Sequence, residues 1–489
     1  MKSIIISVIL IYMLLLFVVA YWSNKKIKNN DDYLIAGRST SFIIVAITIA
    51  ATEIGGGSSI SIIEKSYGNW GMSAIWYVLA MAAAFATIAL FAPKMREVEV
   101  TTIPEYFRRR YGESSSILTS IIMVFPLIGL AVSQFIVGAS ILNSVFGINY
   151  HISVTLVAFI IIVYTYMGGY YGISRAHIMQ FAFLLIGSIL TLVFLLTNTQ
   201  NLGGFFESKA VIRQISQNKI GFQEILSLIV MYIASFSVGQ ELMPGLYSSK
   251  TGKDARKGSL IAAIITIAFS FLPVGIGLIL FFNNVNNSTA LNGDVTNVVL
   301  NGLNGVIPPV VISLFFVGIL AAAMSSADSD IFGAASIIGN DIYRMYINKK
   351  PTESQALAAT RNIIIIVGIS ALFVALFSKT NVIQILMLSF TLRAGGVFIP
   401  YILGHYWKDA SSAGALAAII SGSAVVIVME QSGKSILGFG PAVPSVIVSL
   451  IAFVLFSKLI PNKTSSTTLK EEEKYSEDVE EFFIKTDIF

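Results

Sequence analysis

The run Gly318-Ile-Leu-Ala321-Ala322-Ala323-Met324-Ser325-Ser326-Ala327-Asp328-Ser329 holds the residue types and spacing that come closest to chemistry in this sequence. On a helix, Ala322, Ser325 and Ser326 stand at i, i+3 and i+4 and share a face. Two hydroxyls and a freed carbonyl are part of the oxygen shell that a hard monovalent cation such as sodium requires, and a neutral shell releases its ion easily. The same hydroxyls can instead bond back to carbonyls one turn earlier. Spacing alone leaves both readings open. A second element is Glu53-Ile54-Gly55-Gly56-Gly57-Ser58-Ser59. Three consecutive glycines each weaken a helix by about 1 kcal/mol relative to alanine, so a helix through this point is expected to break and to offer carbonyls from Ala51 and Ile54. A third is Ser235-Phe236-Ser237-Val238-Gly239-Gln240-Glu241 followed by Pro244-Gly245, where Pro244 removes a backbone hydrogen bond.

These elements sit in apolar surroundings. Of 489 residues, 55% are hydrophobic and 12% charged, about half the charged share of a soluble domain, and the mean hydropathy is +0.79. With about 20 apolar residues needed per span, the sequence divides into thirteen: 3–23, 42–66, 71–92, 116–142, 151–168, 176–197, 223–246, 257–283, 306–338, 361–378, 381–404, 412–430 and 441–460. The stretch 306–338 exceeds one straight span and is expected to tilt or to run on beyond Ser325-Ser326. No small-x-small cleavage site precedes Asn24-Lys25-Lys26, so the first span is read as retained.

Lys25, Lys26, Lys28 and Arg38; Lys94, Arg96 and Arg108 to Arg110; Lys250, Lys253, Arg256 and Lys257; and Arg344, Lys349, Lys350 and Arg361 fall in one alternate set of loops. The other set holds Lys209, Arg213 and Lys219 with isolated Lys65, Lys379 and Lys434. The positive-inside rule then places the N-terminus outside and the C-terminus in the cytoplasm of a plasma membrane. The tail from Lys470 to Glu481 reads as a solvated end.

The absence of cysteine excludes disulfides and thiolate sites. His151, His177 and His405 have no HExxH spacing, and no P-loop of the GxxxxGK[ST] form occurs. Without a nucleophile–base or metal constellation an enzyme is not expected. Basic residues confined to short loops also speak against nucleic acid as a partner. The interrupted spans 42–66 and 223–246 stand five spans apart, as the first helices of two five-helix units. Unwound backbone is tolerated at membrane depth only where it is buried or lines a polar cavity, and paired broken helices mark the binding site of inverted-repeat transporters. Close packing through glycine is the plainer alternative.

Arg393 lies roughly eleven residues, about 16 Å of helix, from Gly404-His405. An ionisable group at that depth is functional by default. It either pairs with an acid such as Glu53 or Asp328, the preferred reading, or holds an anionic solute through its bidentate fork.

The chain resembles the sodium:solute symporter family, carriers of sugars, proline, pantothenate and sialic acid. The likeness covers nearly the whole chain and rests on Asp31-Asp32-Tyr33-Leu34-Ile-Ala-Gly37-Arg38, Ala51-Thr-Glu-Ile-Gly55, Thr101-Thr-Ile-Pro104-Glu105-Tyr106, Tyr164-Thr-Tyr-Met-Gly168-Gly169, Gly239-Gln240 and the alanine–serine run. The resemblance implies an all-α polytopic membrane protein with the LeuT-type 5+5 inverted repeat. It implies sodium, as coupling ion, on Ala51, Ile54, Ala322, Ser325 and Ser326. It puts Glu53, Ser58, Gln134, Phe236 and Gln240, with Arg393 from the argument above, at the solute, Phe236 serving as an aromatic gate. Relatives often read Trp-Thr-Asp after the Gly-Gly element; here Arg175-Ala176-His177 stands there with Gln180 kept, so the acid of a second sodium site is missing. His177 is read as a basic helix end, with a proton role as the alternative.

The domain reading is an extra helix and loop (1–40), a first repeat (41–197), an external loop and second repeat (198–404), two further helices (405–460) and a tail (461–489). The expected function is sodium-coupled symport of a small polar organic solute, which carries a carboxylate if Arg393 is free. The competing readings are proton-coupled symport through Glu53 or His177 and a solute sensor that moves nothing. Expected partners are the solute and the lipid bilayer, with no obligate protein partner.

Overall fold

The computed structural model describes residues 2–68, 70–199, 202–217, 219–287, 295–377 and 382–462. Within them the chain is helical, with two isolated bridges and no strand. The helices are α1 (Lys2–Asn24), α2 (Asn30–Ile35), α3 (Phe42–Glu53), α4 (Gly56–Tyr67), α5 (Ile75–Glu97), α6 (Ile103–Tyr111), α7 (Glu113–Phe146), α8 (Tyr150–Asn198) and α9 (Lys209–Ser216). They continue as α10 (Phe222–Ser237), α11 (Met243–Tyr247), α12 (Gly252–Asn287), α13 (Val295–Leu303), α14 (Pro309–Ile337), α15 (Glu353–Phe377), α16 (Val382–Gly404), α17 (Ser412–Ser432) and α18 (Ala442–Leu459). Among the described residues ten helices are long and apolar enough to cross a membrane, and the bent pair α3–α4 makes an eleventh. The tail reading and Lys379 fall outside the described residues.

Helix α14 is the axis of the molecule. It is buried almost from end to end and packs against α8, α7, α1, α15, α4 and α3. Its small residues permit that. A Cβ on Gly318 would lie 2.7 Å from the Phe183 carbonyl oxygen of α8, and one on Gly333 would press on the backbone of Gln240 and Glu241. The helix passes directly into a ten-residue π-helical stretch, Ile338–Ile347, so the expected continuation beyond the two serines is observed.

Both interrupted spans are broken. Helices α3 and α4 meet at 59°, with Ile54 (φ −78, ψ 66) ending the first. A side chain at Gly56 would strike the Ile319 carbonyl oxygen and Ala323 Cβ at 2.6 and 2.7 Å. The glycine run therefore serves close packing on α14 as well as the break. Helix α10 stops at Ser237, and the chain turns through 238–242 before α11. The far ends of the two broken spans are tied together: Thr40 accepts from Lys250 N–H (3.1 Å) and donates its own N–H to Ser248 (2.9 Å).

The spans read at 151–168 and 176–197 are the two segments of α8, which is broken at Gly169, where the backbone leaves helical geometry (φ 50, ψ −156). A Cβ there would meet the Tyr33 ring at 2.5 Å, so glycine provides both the turn and the space. His177 lies inside the second of these segments rather than at its end.

Candidate functional site

The last carbonyls of a helix have no donor within it. In α3, Ala50 receives the Ile54 N–H (2.9 Å), and the next two turn to α14. Ser325 Oγ donates to the Ala51 carbonyl (2.8 Å) or to that of Ala322 (2.9 Å). Ser326 Oγ donates to the Thr52 carbonyl (2.6 Å) or to that of Ala322 (3.3 Å). Each hydroxyl has one proton, so three carbonyls compete for two donors. The serines bond back along their own helix and also across to the break. Five neutral oxygens thus converge at the negative end of the α3 dipole, a donor set that suits sodium. Among the five predicted ligands, Ala51, Ala322, Ser325 and Ser326 are brought together, and Ile54 marks the break itself. Thr52 was not predicted; its carbonyl follows Ala51 and could have been found from the same helix-end argument.

Beside this lies a cavity of about 30 Å³, lined by Thr52, Glu53, Ser58, Tyr77, Met81, Leu130, Gln134, Tyr232, Glu241, Ser326, Asp330, Leu386 and Phe390. Ser326 faces both the carbonyls and the cavity. Of the residues expected at the solute, Glu53, Ser58 and Gln134 line this cavity. Glu53 is 8% exposed and its Oε1 has no hydrogen-bond partner. Ser58 Oγ donates to the Gly55 carbonyl (3.0 Å), and Gln134 Oε1 accepts from Gly57 N–H (3.4 Å).

Three predicted residues stand elsewhere. Gln240 clamps the loop before α6: its Oε1 accepts from Ile103 N–H (2.9 Å) and its Nε2 donates to the Thr101 carbonyl (3.2 Å). Phe236 is packed behind the cavity against Phe85, Tyr232 and Phe390; the aromatic walls are Tyr77, Tyr232 and Phe390. Arg393 is fully buried and is paired with neither Glu53 nor Asp328. Its Nη1 donates to Glu241 Oε2 (2.6 Å), its Nε to Ser235 Oγ (2.6 Å), and its guanidinium lies 5.1 Å from the Phe390 ring centre. The turn between α10 and α11 supplies the acid, and Gly239 makes room for it, since a Cβ there would meet Glu241 Oε1 at 2.5 Å. The anion-holding role therefore loses its basis.

A second polar cluster lies on the other side of α14. Asp328 Oδ1 is 3.0 Å from His177 Nε2 and 3.2 Å from Ser329 Oγ, while Oδ2 accepts from the Tyr164 hydroxyl. Gln180 Nε2 donates to the Tyr12 hydroxyl (3.1 Å). His177 is fully buried, which corrects its reading as a basic helix end. Glu241, Asp330 and Asp328 were missed as site residues. Asp330 had a signal, because it stands four residues after Ser326 and so shares its face.

The sodium:solute symporter family model matches residues 33–422. The osmoregulated proline transporter of Bacillus subtilis is 24% identical over 87% of this chain and 89% of its own length. The sodium/proline symporter of Salmonella typhimurium is 25% identical over 87% of each. In fold, the chain is similar to a sodium-coupled sialic acid symporter in its substrate-bound outward-open state, with a TM-score of 0.82, 20% identity, and coverage of 94% of this chain and 98% of that one. Five neutral oxygens at a helix break, on a bundle of membrane-length helices, are thus met in a chain that belongs to the sodium:solute symporter family: a multi-pass membrane transporter, not an enzyme, with sodium as its coupling ion.

Proposed function

We propose that this chain carries a small polar solute together with a sodium ion bound by Ala51, Ile54, Ala322, Ser325 and Ser326, with the Thr52 carbonyl as a further oxygen. The observation that carries this reading is the pair of short contacts from Ser325 to Ala51 and Ser326 to Thr52 across the break. With the hydroxyl protons turned away, an ion held by these oxygens ties α3 to α14 and stabilises one arrangement of the two. Because Ser326 also lines the cavity, a solute seated there and the ion share a wall. Binding is then reciprocal, each raising the affinity of the other, and the two units rock around the site to release both.

The finer architecture belongs to the same proposal. Counting α8 as two spans at Gly169 and α10–α11 as one broken span gives thirteen spans, with repeats over 41–197 and 198–404. The basic loops then lie in the cytoplasm and the N-terminus outside, in a plasma membrane. The relatives' names include proline and sialic acid carriers, and the solute here is sought by binding. The direct test is sodium-22 binding to the purified protein. Ser325→Ala should raise the sodium concentration for half-saturation about tenfold, a change of about 1.4 kcal/mol, with little change in the melting temperature without sodium. An unaltered sodium isotherm would remove this site assignment.

A further inference from the structure

The cavity's charges do not balance. Three carboxylates line it, Glu53, Glu241 and Asp330. Arg393 is the one base set against them: all three interact electrostatically with it, and it is paired with Glu241. Among the described residues, neither Glu53 nor Asp330 has a basic partner within ion-pair distance. With all three ionised, three negative charges and one positive leave two negative. One sodium ion at Ser325 and Ser326 leaves one. Buried charge without compensation costs several kcal/mol, so a transporter in its loaded state should carry one more positive charge here.

Three independent features say what kind of charge. First, Glu53 is more than nine-tenths buried, lines the cavity, and has Oε1 without a hydrogen-bond partner; that oxygen is available to a donor brought by a ligand. Second, Glu53, Glu241 and Asp330 do not converge as a metal-binding group, nor does any other set of three such residues among those described. Acids that form no metal-binding group suit an organic ligand rather than a second bare ion. Third, the remaining wall includes the rings of Tyr77, Tyr232 and Phe390. Aromatic faces attract cations, and Phe390 already does so with Arg393 at 5.1 Å. The cavity of about 30 Å³ has room for about two water molecules, so its walls must part to admit a solute.

We infer that the solute is an organic cation, its ammonium group held by Glu53 and Asp330 and its carbon chain against Tyr77, Tyr232 and Phe390. This rests on the sodium-symport reading and gives the substrate class of the same site. Two protons on Glu53 and Asp330 are the competing way to neutralise the cavity, and the acid-to-amide variants separate the two.

The experiment is thermal unfolding of the purified full-length protein in sodium chloride and in potassium chloride. The probes are putrescine and L-lysine, which are net cations, L-proline and D-glucose, which are net neutral, and succinate, all at one concentration. A ligand of the folded state raises the melting temperature by mass action. The expected result is stabilisation by a cationic probe in sodium. Glu53→Gln and Asp330→Asn should each raise the probe concentration needed for it at least tenfold. The melting temperature of each variant without probe serves as the folding control. Two results overturn the inference: no shift with either cationic probe in sodium, or a cationic response that both variants leave unchanged. A response in sodium to proline, glucose or succinate, with none to the cations, overturns the charge inference and leaves sodium symport standing. An equal response to cations in sodium and in potassium supports the charge inference and overturns the coupling reading.

Discussion

Helix α14 carries Asp328 and Asp330 two residues apart, which on a helix sends them to opposite sides, and the two carboxylates meet unlike surroundings. Asp328 has donors for both oxygens, from His177, Ser329 and Tyr164. Asp330 faces a cavity with two other acids, where Arg393 is committed to Glu241 and Ser235. Both oxygens of Asp328 are thus satisfied within the protein, although among the described residues His177 Nδ1 and Gln180 Oε1 beside it have no partner, whereas Glu53 and Asp330 at the cavity have no basic partner of their own. A buried charge that is fully hydrogen-bonded fixes geometry, whereas one left over is a demand for a ligand. This contrast separates the side of α14 that holds α8 in place from the side proposed to bind solute.

The largest effect expected is on the one pair that is closed inside the open cluster. Arg393→Met leaves Glu241 buried beside Glu53 and Asp330 without its cation, a loss of about 3–5 kcal/mol out of a total of about 5–15 kcal/mol. Unfolding in detergent, read by melting temperature and folded yield, should show it plainly. Adding Glu241→Gln should recover the greater part. A double variant no better than the single one would mean that Arg393 acts through Ser235 or Phe390 rather than through the ion pair.

The next test strikes both sides of the helix with the same chemistry. Asp328→Asn turns one acceptor into a donor facing Tyr164 or His177 and should cost about 1–3 kcal/mol. Glu53→Gln removes no donor–acceptor pair at Oε1 and relieves repulsion with Glu241 and Asp330. Its stability without solute should stay within about 0.5 kcal/mol of wild type or rise. Equal losses in the two variants would erase the distinction between the clusters.

What the sequence revealed follows the same division. Local spacing was enough for the helix break, because glycines act on the backbone where they stand, and for the serines, because residues at i, i+3 and i+4 face one way whatever the tertiary fold. Partners far along the chain were not legible. Arg393 pairs across 152 residues with Glu241, and acids that the sequence offered equally, Glu53 and Asp328, were passed over in the folding. Gln240 stands away from the cavity because an unwound segment does not keep helical phase: after Ser237 the side-chain directions depend on turn geometry rather than on a period, while Phe236, in the last turn of α10, packs behind the cavity wall. Gly169 does separate two helical segments, but His177 was read as a helix end because its buried partner, Asp328, lies 151 residues away.

The smallest effect at neutral pH concerns a group outside the spans, and it is needed to read the buried clusters cleanly. His405 follows α16, stacks on Tyr106 with ring centres 4.3 Å apart, and meets Tyr401 edge-on at 5.0 Å. Burial, with Lys94 and Arg110 adding to it, pushes its pKa down to about 4 from the ordinary 6.5. Between those two values the unfolded chain binds a proton at this site that the folded protein does not, so stability rises with pH across the window and is lost as pH falls from 6.5 towards 4. At pH 7 both states hold a neutral ring and the site contributes no pH dependence. His405→Phe keeps the ring stack and cannot take up the proton. Melting curves from pH 7.5 to 4.5 should coincide for the two proteins at the upper end, apart from a small constant offset, with the variant declining less in acid. Whatever acid sensitivity remains in the variant belongs to other groups. If Asp328→Asn in that background flattens the rest and Glu53→Gln does not, the proton-sensitive side of α14 is the side that holds Asp328, and sodium and solute are left as the ligands of the other. If Glu53→Gln flattens it instead, Glu53 is ionised in the folded state across this window; if Glu53→Gln steepens the decline, Glu53 carries a proton in the folded state and the charge sum of the cavity must be redrawn with it.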